Sequence, residues 1–151
     1  MTIKKQQFFD VALKAIKKIR EKTAKGKINW MIINDGAGGN AVAVYESYAI
    51  DGEKIGRCIR YTIKLSAEKL SHHPLETIEN DKVTIKFYSD DDDGHGYILI
   101  GQLKSDDPFI KDTALEAQMV GLYNDISEST CTSEEEELYY ALDDICIGLG
   151  E

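Results

Sequence analysis

From residue 58 to residue 65 polar and apolar side chains alternate without a break. Ile59, Tyr61, Ile63 and Leu65 fall on one side of an extended chain, and Cys58, Arg60, Thr62 and Lys64 fall on the other. A shift of one residue would turn that whole apolar set to water, so the pattern demands a strand with one buried face. Ile55 agrees with the apolar side and Arg57 does not, which gives a strand over 55–65. The same period recurs in 83–88, where Val83, Ile85 and Phe87 oppose Thr84 and Lys86. With 97–103 that segment makes a hairpin around the polar run SDDDDGHG. Two further β-rich runs, 28–34 and 41–49, precede these, and Asp51-Gly52 is a strong hairpin-turn signal.

Helical spacing brackets the strands. In residues 3–25, Phe8, Ala12, Ala15, Ile16 and Ile19 recur at three- and four-residue steps, with Phe9 and Leu13 widening the stripe. Lysines occupy the other side, and Gly26 is a natural stop. Ser66 is a cap for a short helix that Pro74 interrupts. Asp107 and Pro108 suit the start of a helix reaching about Ile126, with a stripe of Leu115, Met119, Leu122 and Ile126. Ser133 and Glu136 form a capping box, and Glu134, Glu135 and Glu137 suit the positive end of the last helix. That helix is expected to bury Leu138, Leu142, Ile145 and Leu149. The expected fold is α+β in a single domain, 1–151. It has an antiparallel five-stranded sheet, with an N-terminal helix and two C-terminal helices packed on one face.

The order α-βββ-(α)-ββ-α-α is similar, as topology over residues 1–126, to the class I type III secretion chaperones and the chaperone-like YbjN family. That resemblance implies a small acidic cytosolic protein, usually dimeric. The acidic C-terminal helix departs from it.

Composition narrows the setting. The amino terminus, MTIKKQQFFD, carries charges where a secretory signal would hold its apolar centre, and no apolar run nears the ~20 residues that span a bilayer. Cys58, Cys131 and Cys146 form no close pair and no zinc spacing. A reduced, cytoplasmic protein is therefore expected, with the cysteines as half-buried hydrophobes or a reactive thiol at Cys131.

Charge is divided sharply along the chain. Residues 1–30 hold nine Lys/Arg and two acids, +7; residues 31–89 hold seven and eight, −1; residues 90–151 hold two and seventeen, −15, which sum to the chain's −9. Such a distribution bears on association. Direct nucleic-acid binding is disfavoured because the acidic part repels phosphate within a Debye length of roughly 8–10 Å.

Motifs for chemistry are sparse. Asp35-Gly36-Ala37-Gly38-Gly39-Asn40 follows a strand, but a strand and not a helix comes next, so it lacks a phosphate loop's helix N-terminus. Asp90–Asp93 precede Gly94 and His95, yet a calcium loop would need an acid at Ser89 and a glutamate at Ile100. His72, His73 and His95 meet those aspartates only if two loops converge. No cofactor is expected.

The acidic third carries the functional expectation. Asp90, Asp91, Asp92 and Asp93, with Glu134, Glu135, Glu136 and Glu137, would steer a basic protein partner, and Tyr139 and Tyr140 would anchor it. The reading is a non-catalytic acidic module, an inhibitor or immunity-type antagonist of a basic or nucleic-acid-handling protein, its acids imitating a phosphate backbone. Two alternatives stay open. One is a dimeric secretion-chaperone-like peptide binder; the other is a metal-dependent enzyme using the His/Asp loops.

Overall fold

A computed structural model of the 151-residue chain describes residues 2–34, 43–54, 57–68, 82–90, 97–129, 131 and 133–150. Helix α1 (Lys5–Ala24) is followed by β1 (Met31–Asn34), β2 (Ala43–Lys54), β3 (Arg57–Glu68), β4 (Lys82–Asp90) and β5 (Tyr97–Lys104), then by α2 (Ala114–Ser129) and α3 (Ser133–Gly148). The strands lie in the order β1-β2-β3-β4-β5, each antiparallel to the next. The α+β class, the N-terminal helix, the five antiparallel strands and the two C-terminal helices match the sequence reading, while the short helix expected around Pro74 lies outside the described residues.

Alternation sets the sheet's faces. Tyr45, Leu65, Ile85 and Leu103 align across four strands in register and are all buried. Ile63, Ala67 and Val83 extend this apolar surface. Ile16 from α1 and Leu115, Met119, Leu122 and Ile126 from α2 close over it, each fully buried. At roughly 1.5–3 kcal/mol for each large apolar side chain removed from water, this layer is the fold's main stabiliser. Tyr45 and Tyr123 meet edge-to-face at 5.5 Å across it. At the ladder's end, Val83 N–H donates to Ser105 Oγ and Ser105 N–H to the Val83 carbonyl, at 2.8 and 2.9 Å.

The opposite face is polar. Glu46, Lys64, Lys86 and Gln102 stand in one row, and the Lys64 ammonium lies 5.2 Å from the Tyr88 ring. Thr62 Oγ1 is buried with no hydrogen-bond partner among the described residues. Strand β5 is a sheet edge and exposes Ile98, Leu99 and Ile100 in succession.

Several boundaries differ from expectation. Strand β2 runs through Asp51 and Gly52, which pair with Arg60 and Ile59, and the ladder continues to Lys54↔Arg57. Pairing with a long, strongly patterned β3 outweighs the local turn preference. Ser66 is not a cap: it lies inside β3 opposite Thr84. Asp107 and Pro108 open only one turn, in which Asp107 Oδ1 accepts from Phe109 N–H at 2.8 Å. Asp112, with φ 62°, ends that turn in the left-handed region, and α2 starts at Ala114. The Asp112 N–H donates to Glu116 Oε2 at 2.7 Å, joining turn and helix. On α1 the buried face is narrower than expected: Ala12 and Ile16 are buried, with Phe9, Leu13 and Ile19 packed beside them, while Phe8 and Ala15 are exposed. Gly26 ends the helix region at φ 72°, as expected.

Candidate functional site

Helix α3 departs furthest from expectation. Every residue from 134 to 150 is exposed, including Leu138 at 56%, Leu142 at 51%, Ile145 at 54% and Leu149 at 82%. The expected burial of these four does not occur. Leu115, Met119, Leu122 and Ile126 of α2 already cover the sheet together with Ile16 of α1.

The spacing of α3 explains what this helix carries. Leu138, Leu142, Ile145 and Leu149 step by four, three and four residues, the narrow seam of a helix built to meet one other helix. Glu136, Glu137, Asp143 and Asp144 fall on the far side together with Tyr140 and Ile147. Six carboxylates and no cation lie within Ser133–Gly148. Tyr139 and Tyr140 meet edge-to-face at 5.3 Å and are both exposed. Glu134, Glu135 and Glu136 occupy the first turn, where the helix dipole favours them.

The predicted site thus separates into parts. Glu134–Glu137, Tyr139 and Tyr140 come together on one exposed helix. Asp90 ends β4, paired with Tyr97. Asp91, Asp92, Asp93, His72, His73, His95 and the 35–40 glycine run lie outside the described residues, as do the side chains of Asp90, Cys58 and Ser133. Cys131 and Cys146 are free, exposed thiols. Among the described residues no three His, Cys, Asp or Glu gather as a metal site.

Cations of α1 engage elsewhere. Arg20 Nε donates to Asp125 at 2.9 Å and Nη1 to Gln118 at 3.0 Å, pinning α1 to α2. Its guanidinium lies over Gly121, where an added Cβ would meet Nη1 at 2.5 Å. Lys25 bonds Glu21 at 2.9 Å and holds that carboxyl below its ordinary 4.5. Sequence reasoning missed a second feature of α1, an exposed flank on which Phe8 and Val11 lie among lysines. Its signal is a second three-four series, Lys4, Phe8, Val11, Ala15, Lys18 and Lys22, running beside the core stripe.

No helix among the described residues is long and apolar enough to cross a membrane. No family model, curated protein or solved structure matches the chain.

Proposed function

We propose that this protein is a non-catalytic binding module that offers α3 to a basic protein partner, in the manner of an inhibitor or immunity-type antagonist of a nucleic-acid-handling protein. One observation carries the reading: a 16-residue helix stands exposed with an apolar seam on one side, flanked by Glu134 and Glu135, and four further carboxylates on the other. An exposed seam of that kind gains by covering, and the acids restrict the cover to cationic chemistry. The edge-to-face tyrosines add rigid contact area at low entropic cost. A nucleic-acid-handling protein supplies the matching surface, because its own ligand is a row of phosphates.

A labelled amphipathic peptide of leucines and lysines is a suitable probe. With Glu134, Glu135, Glu136 and Glu137 all changed to Lys, the expected association rate drops about tenfold or more and its dependence on salt flattens. Equal rates and equal salt slopes for both proteins would remove the proposal.

A further inference from the structure

Around α1 the charges are sorted by side. At about 100° per residue, Lys4, Phe8, Val11, Ala15, Lys18 and Lys22 fall within about 50° of one line along the helix. Asp10 and Glu21, the acids of α1, lie about a quarter-turn away from that line. Each is held where it stands: Gln6 donates to Asp10 at 2.9 Å, and Lys25 donates to Glu21 at 2.9 Å. Phe8 and Val11 are 49% and 66% exposed, and Lys4, Ala15 and Lys18 are exposed beside them. Lys4, Lys18 and Lys22 have no carboxylate within ion-pair distance among the described residues. Two apolar side chains thus sit among ammonium groups that nothing neutralises.

The rest of the fold leaves this flank clear. On α2, Asp125 and Gln118 accept from Arg20 Nε and Nη1 at 2.9 and 3.0 Å. Arg20 falls nearly opposite Val11 and Lys4 on the helical wheel, so α2 lies across α1 from the flank. A helix with its side chains is about 10–12 Å thick. Charge acts over roughly 8–10 Å at ordinary salt, so the lysines in contact outweigh the Asp125 side of the molecule.

A surface that fits this flank is anionic at its face and apolar just beneath. A nucleic-acid duplex offers phosphates but no apolar layer under them for Val11. A bilayer with acidic headgroups offers both, and lysine stems can follow the acyl boundary while their ammonium groups stay at phosphate level. We infer that α1 is a reversible anchor to anionic membrane surfaces, lying in the headgroup layer with Phe8 and Val11 dipped into the acyl boundary. The helix lies on the membrane and does not cross it. With so small an apolar contact, insertion and charge are both needed for binding. Helix α3 takes no part and keeps its own face for a basic protein.

Flotation of the full chain with lipid vesicles tests this, with far-UV circular dichroism confirming that each variant is folded. The probes are vesicles of phosphatidylcholine alone and of phosphatidylcholine with about one-third phosphatidylserine. At low salt the unmodified chain should float with the anionic vesicles and not with the neutral ones, and rising salt should release it. Lys18→Gln together with Lys22→Gln should lower the partition coefficient about tenfold or more. Phe8→Ser together with Val11→Ser should also lower it about tenfold or more, at unchanged charge. A chain that stays unbound to anionic vesicles at low salt overturns the inference. So does binding that the serine pair leaves unchanged, since the lysines would then act without insertion. Tighter binding to a short DNA duplex than to vesicles, lost in the lysine variant and kept in the serine variant, would assign the flank to nucleic acid instead. These variants leave Glu134–Glu137 as they are, so binding of the leucine-lysine peptide by α3 is read separately.

Discussion

Arg20 and Gly121 show how one pair of residues fixes two helices. An alanine at 121 would raise helix propensity by about 1 kcal/mol relative to glycine. Its Cβ would also enter the space of the guanidinium, 2.6 Å from Cζ. Arg20 is partly exposed, so it can move, but only by giving up Asp125 and Gln118. A double-mutant cycle should therefore show coupling. Gly121→Ala alone is expected to leave stability within about 0.5 kcal/mol of the parent, and in an Arg20→Ala background to stabilise by about 1 kcal/mol. Urea unfolding of the four proteins measures it, and additive effects would contradict the packing described.

Among the elements, α2 and α3 have equal length and similar apolar stripes yet opposite roles. Leu122 is fully buried, whereas Leu142 is half open to solvent. Leu122→Ala should cost roughly 2–5 kcal/mol of unfolding free energy and Leu142→Ala under about 0.5 kcal/mol, measured by urea unfolding of dilute protein. Amide exchange should likewise be faster in α3 than in α2, because α3 lacks packing within its own molecule. This contrast marks how far the residues themselves revealed the structure. The sheet was legible because Ile59–Leu65 and Val83–Phe87 alternate without ambiguity. The acidic helix was legible from its spacing and its run of glutamates. Its exposure was not, since an apolar stripe states that a helix wants a partner and not which molecule supplies it. The turn expected at Asp51-Gly52 failed for a related reason: a local turn preference yields to the extra ladder pairs from Asp51↔Arg60 to Lys54↔Arg57. Phe8 reads as a core residue in the sequence because two overlapping three-four series run along α1, and only the position of α2 and the sheet selects between them.

For the molecule as a whole, the uneven charge acts at long range while the apolar contacts act at short range. At neutral pH the net −9 keeps copies apart except where basic and acidic segments face each other. Acidification removes that discrimination. The sequence pI is about 4.8, so the repulsion fades as the carboxylates take up protons near that pH.

Strand β5 then becomes the exposed weak point. Its outer rim has no strand neighbour among the described residues beside Ile98, Leu99 and Ile100, and nothing described on that rim is proline or lysine until Lys104. Turbidity should therefore rise sharply as the solution is brought from pH 7 to about 4.8, and Ile98→Lys should suppress it. Acid handling of this protein would join sheets rim to rim into extended ribbons, a route to insolubility that leaves each molecule folded.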